Sequence, residues 1–90
     1  MDNFNLNFLI VEDDVSYSIS LERLVEELGY NVLAVVDNST DALDTIYKHT
    51  PDFVLMDIDI KGELTGLDIA EQVRDLKIPI LFLTSFDDSA

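Results

Sequence analysis

Carboxylates gather in two places along this chain. Glu12-Asp13-Asp14 directly follows the apolar run Phe8-Leu9-Ile10-Val11, and Asp57 and Asp59 follow a second run, Phe53-Val54-Leu55-Met56. A hydroxyl pair, Thr84 and Ser85, follows a further run, Ile80-Leu81-Phe82-Leu83. Side chains beyond the carboxyl ends of parallel strands are where open sheets place their chemistry. If the first and third runs are neighbouring strands, Glu12, Asp13 and Asp57 converge. Carboxylates that close repel one another unless a cation or protons compensate. The chain has no Cys and a single His, so the donor set is all oxygen. Such a set suits a hard cation, and Mg²⁺ fits best because it accepts few carboxylates and keeps its waters.

The elements that must position these residues can be read from periodicity. Four apolar runs, the three above and Val32-Leu33-Ala34-Val35-Val36, are continuous rather than alternating. Runs of that kind suit strands covered on both faces. Each spacer between them reads as a helix. From Val15 to Leu28 the apolar residues Leu21, Leu24, Val25 and Leu28 share one face, and Gly29 follows as a left-handed stop. Asp14 suits the N-cap of this helix. Asn38 or Ser39 can cap a second helix with Leu43, Ile46 and Tyr47 inward, halted before Pro51. Thr65-Gly66-Leu67-Asp68 has the form of a capping box and opens a third helix with Ile69, Val73 and Leu76 inward. The order β-α-β-α-β-α-β predicts an α/β domain with a parallel sheet and right-handed crossovers.

Composition narrows the partners. Ninety residues make one small domain. Nineteen acidic and five basic side chains leave a formal charge of −14, which is unsuited to direct nucleic-acid binding. No apolar run approaches the ~20 residues of a membrane span. Met1-Asp2-Asn3 lacks the basic start of a secretory signal. The expected compartment is the cytoplasm, with no membrane or nucleic-acid contact by this segment.

Taken in order, Phe8–Asp14, Pro51-Asp52-Phe53-Val54-Leu55-Met56-Asp57, Gly66-Leu67-Asp68 and Ile78-Pro79-Ile80-Leu81-Phe82-Leu83-Thr84-Ser85 resemble a response-regulator receiver domain. The resemblance covers nearly the whole chain. It implies a flavodoxin-like fold with strand order 2-1-3-4 for the four strands present. It implies that Asp57 accepts a phosphoryl group from the phosphohistidine of a histidine kinase or phosphotransfer protein. Glu12 and Asp13 would hold Mg²⁺ together with Asp57 and the backbone carbonyl of Asp59, and Thr84 would contact the phosphoryl group and shift on activation. The module is then a signalling phosphoacceptor rather than a metabolic enzyme.

Some features depart from the family pattern. The Lys and the aromatic switch residue of a fifth strand have no counterpart in the chain, so the domain is expected to be incomplete at its C-terminal end and impaired in signalling. The open edge at Ile80–Leu83 is then expected to drive self-association or exchange between copies. Lys61 stands where many receivers have Pro, in a loop about one residue longer than the common form. Two other classes compete. Phe53–Asp59 has the strand-then-DxD form of a haloacid-dehalogenase-type phosphohydrolase, but the matching acids lie upstream. Asp57, Asp59, Gly62 and Asp68 fall at positions 1, 3, 6 and 12 of an EF-hand calcium loop, with Lys61 where a ligand belongs.

Overall fold

A computed structural model describes residues 5–83. The elements run β1 (Asn7–Val11), α1 (Val15–Glu27), β2 (Asn31–Val36), α2 (Ser39–His49), β3 (Phe53–Asp57), α3 (Gly66–Gln72), a 3₁₀ turn (Arg74–Leu76) and β4 (Ile80–Leu83). The strands form one sheet in the order β2-β1-β3-β4, with every pair parallel. This is the flavodoxin-like arrangement expected.

Side-chain alternation divides the core. On one face Leu9, Val11, Val54 and Met56 pack with Ala42 and Ile46 of α2, with Ile69 of α3 and with Val73 at its C-cap. On the other, Ile10 and Leu55 meet Leu21 and Val25 of α1. The central strands β1 and β3 are covered from both sides, which is why their runs are continuously apolar. The edge strands are not. Val35 of β2 is exposed and Leu81 of β4 is 52% exposed, so a continuous run marks double coverage only at the sheet centre.

Helix termini follow local chemistry. Asp14 caps α1, its carboxylate accepting from the Tyr17 N–H at 3.0 Å, and Gly29 takes a left-handed φ of 96° just past the helix. Asn38, not Ser39, caps α2. The Thr65–Asp68 capping box forms in both directions, at 3.0 and 3.2 Å.

Three of the expected inward stripes need correction. Leu24 and Leu28 of the α1 stripe are exposed, and the inward positions are Ser18, Leu21 and Val25. Ser18 tolerates burial because its hydroxyl donates to the Val15 carbonyl at 2.9 Å. Leu28 lies at the C-cap, beyond the last helical turn. In α2, Ala42 rather than Tyr47 faces the core. The third helix ends at Gln72 and tightens into the 3₁₀ turn, which rotates Leu76 outward to the solvent.

Candidate functional site

The parallel register of β1 and β3 pairs Val11 with Met56, so the next residues of each strand, Glu12 and Asp57, emerge side by side. The Glu12 N–H donates to the Val36 carbonyl at 2.9 Å, which carries the sheet pairing one step beyond β1. Asp13 follows immediately. One carboxylate oxygen from each of Glu12, Asp13 and Asp57 can be chosen so that all lie within 4.8 Å of one another. Glu12 and Asp57 are buried and Asp13 is half-buried.

Each buried carboxylate is oriented by a backbone amide. Glu12 Oε2 accepts from the Asp14 N–H at 3.0 Å, and Asp57 Oδ1 accepts from the Asp59 N–H at 3.1 Å. These bonds do not offset the crowding. Burial raises the Glu12 carboxyl above its usual value of 4.5, and the neighbouring Asp57 and Asp13 raise it further against the opposing Asp14 amide. Without a cation, the Glu12 carboxyl therefore holds its proton more tightly than a free carboxyl does. A donor set of three carboxylates, two of them buried, fits a small hard cation and the charge it would neutralise. From Glu12 and Asp13 an open cleft of about 290 Å³ extends past Val15, Ser18 and Val35 to Asp37 and Asp41 at the start of α2.

The structure brings Glu12, Asp13 and Asp57 together. Asp59 contributes its N–H to that group, while its own side chain is exposed. Thr84 and Ser85 lie outside the described residues. Lys61 and His49 are exposed. The EF-hand reading is overturned, because a β-strand rather than a helix leads into Asp57 and the Asp68 carboxylate is engaged in the capping box. The dehalogenase reading has no geometric support, because the carboxylates that meet Asp57 are the upstream pair.

One glycine packs unusually close to the strand that carries Asp57. Gly66 opens α3, and its N–H donates to the Ile58 carbonyl at 2.9 Å. A Cβ at this position would stand 2.5 Å from the Asp57 carbonyl oxygen and 3.1 Å from both the Ile58 Cα and the Met56 Cγ. The helix start can approach β3 this closely only without a side chain. The sequence signals at this position are a glycine inside a capping box, where a helix former would be the cheaper choice, and its place in the Gly66-Leu67-Asp68 run that resembles the family.

The profile of the response regulator receiver domain family matches residues 8–90. The chain belongs to this family. Among curated relatives of this receiver, the phyllosphere-induced regulator PhyR of Methylorubrum extorquens is 32% identical over 82 residues, covering 89% of this chain and 31% of that protein. The DNA-binding response regulator MtrA of Mycobacterium tuberculosis is 32% identical over 90 residues, covering 99% and 39% respectively. The receiver therefore spans well under half the length of these relatives. A crystal structure of the signal receiver domain of a modulated diguanylate cyclase from Desulfovibrio desulfuricans matches with a TM-score of 0.83 at 37% identity, over 92% of this chain and 67% of that one. The response regulator PhyR from Brucella abortus matches with a TM-score of 0.82 at 31% identity, over 91% and 34%. Among the described residues no helix is long and apolar enough to cross a membrane.

Proposed function

We propose that this receiver accepts a phosphoryl group on Asp57, in a phosphorelay, from a histidine kinase or phosphotransfer protein in the cytoplasm. The observation that carries the reading is the meeting of Glu12, Asp13 and Asp57 at the carboxyl ends of adjacent central strands. In the transfer, a carboxylate oxygen of Asp57 forms the new O–P bond as the N–P bond of the donor phosphohistidine breaks, and the donor imidazole leaves with the electron pair. Glu12, Asp13, Asp57 and the Asp59 carbonyl are the groups that would hold Mg²⁺. Bound there, Mg²⁺ would offset the negative charge of acceptor and phosphoryl oxygens, the main demand of this chemistry. The Asp59 N–H already fixes one Asp57 oxygen, which orients the carboxylate before the donor arrives. Thr84, directly after β4, is the proposed hydroxyl contact to the phosphoryl group.

Mass spectrometry of the intact chain with acetyl phosphate as donor tests this reading. A small uptake of the phosphoryl group is expected with Mg²⁺ and none with chelator. At Mg²⁺ about tenfold above its Kd, linkage should stabilise the fold by about 1.4 kcal/mol, a rise in Tm of roughly 5 °C or more. Asp13→Asn should abolish that rise and raise Tm in chelator by relieving repulsion. An unchanged Mg²⁺ response in Asp13→Asn would place the cation elsewhere.

The proposed partners include a second copy of the chain. β4 pairs only with β3 among the described residues, and its Leu81 is exposed. An apolar strand edge of this kind is a pairing template, and a charge of −14 opposes association weakly once salt screens it. Light scattering over a concentration series should show mass rising above 10.2 kDa. A concentration-independent monomer would contradict this part of the reading.

A further inference from the structure

The stretch from residue 58 to 65, which joins β3 to α3, is held along one flank by the start of α2. Ser39, the first residue of that helix, is 3% exposed. Its N–H donates to the Lys61 carbonyl at 2.9 Å, and Asn38 and Lys61 form an isolated parallel bridge. The loop thus supplies an acceptor to one of the helix-start amides that has no partner within the helix. The Ser39 hydroxyl accepts from the Leu64 N–H in a long contact of 3.4 Å. Between these two anchors Gly62 has a left-handed φ of 109°, and a Cβ there would run into Ser39 Oγ. The serine hydroxyl therefore occupies the room that a side chain at position 62 would take. Ile60 and Leu64 complete the attachment by packing into the core cluster beside α2 and α3.

This same stretch carries Asp59, whose N–H holds Asp57 Oδ1 at 3.1 Å. The helix itself does not need the Ser39 hydroxyl. Asn38 is the N-cap, accepting from the Asp41 N–H at 2.8 Å, and Ala is at least as good as Ser in a helix. The geometry points to Ser39 as a positioning residue for the phosphoacceptor site: it clasps residues 61–64 so that Asp59 stays on the Asp57 carboxylate. The inference rests on the acceptor role proposed for Asp57. Residues that orient the groups of a metal or catalytic site without touching the reacting atoms have large effects when removed.

The test compares Ser39→Ala with Val25→Ala. Val25 is buried in α1 on the opposite face of the sheet, so its truncation lowers stability without touching the loop. Mg²⁺ affinity comes from fluorescence or calorimetric titration, and the rate of phosphoryl uptake from acetyl phosphate comes from an intact-mass time course. Ser39→Ala is expected to lose about tenfold in both while its Tm in chelator changes less than that of Val25→Ala. Val25→Ala is expected to keep both at the wild-type level. Wild-type affinity and uptake rate in Ser39→Ala would overturn the positioning role, as would equal losses in Val25→Ala. Absence of uptake in the wild-type chain with donor and Mg²⁺ would instead remove the acceptor reading of Asp57, and the role of Ser39 with it.

Discussion

Replacing Asp57 with Asn is expected to abolish phosphoryl uptake, a loss of at least about a hundredfold, because the amide offers no anionic oxygen to form the O–P bond. The same substitution is expected to stabilise the fold near neutral pH in the absence of divalent cation. An Asn oxygen can still accept from the Asp59 N–H, so the local bond is retained. What disappears is a charge that raises the Glu12 carboxyl. A carboxyl raised in the folded state stabilises the fold at pH values below its unfolded value, and that contribution is lost as pH rises through the folded value. The wild-type chain in chelator should therefore lose part of its stability as pH climbs from about 4.5 towards neutrality. Asp57→Asn should lessen that loss, leaving the part that burial of Glu12 causes, and should be more stable than wild type at pH 7. Paired denaturant titrations at pH 5 and pH 7 would show it. A variant less stable than wild type at pH 7 in chelator would mean that the cluster is not repulsive.

Gly66→Ala is expected to damage both the fold and the site. The added methyl would meet the Asp57 carbonyl oxygen at 2.5 Å, and its other close neighbours are the Ile58 Cα and the Met56 Cγ. Two of the three are backbone atoms, which cannot swing aside as a flexible side chain can. Relief requires α3 to back away from β3, at a cost of about 1–3 kcal/mol by the usual measure of overpacking. The displaced helix start also pulls on the Gly66 N–H bond to the Ile58 carbonyl, next to Asp57. The expected result is a Tm lower by several degrees in chelator together with a weaker Mg²⁺ response. Thermal melts with and without Mg²⁺ measure both. A wild-type Tm would show that the α3 start is free to retreat, contrary to its packing.

Why some of this was legible in the sequence and some was not follows from the range of the interactions. The caps at Asp14 and Thr65 and the stop at Gly29 are decided within a few residues, and periodicity and residue type reveal them. The acidic site was legible because strand ends in an open parallel sheet converge, so the residues after Val11 and Met56 were bound to meet once β1 and β3 were neighbours. The outward turn of Leu24, Tyr47, Leu76 and Leu81 was not legible. Each is apolar at a plausible helical or strand position, and its exposure depends on which other element reaches it. Ser18 was missed for the opposite reason, since a serine closes its hydrogen bond locally and then packs as a small residue. Ser39 reads only as part of a helix start, and Gly66 as part of a capping box and of the Gly66-Leu67-Asp68 run that resembles the family. Their work is contact with Asp57 and with the 61–64 loop, and no local spacing reports such long-range contact.

Asp57 itself is the proposed recipient of the phosphoryl group. The chain should be treated with acetyl phosphate and Mg²⁺, reduced with borohydride to convert an acyl phosphate to the alcohol, and cut with trypsin. Cleavage after Lys48 and Lys61 releases one peptide, residues 49–61, that contains Asp52, Asp57 and Asp59. Fragmentation of that peptide distinguishes the three. Homoserine at position 57, present with Mg²⁺ and absent with chelator, is the predicted result. Conversion at Asp52, at Asp59, or at Glu12 or Asp13 in the N-terminal peptide, with Asp57 intact, would contradict the account.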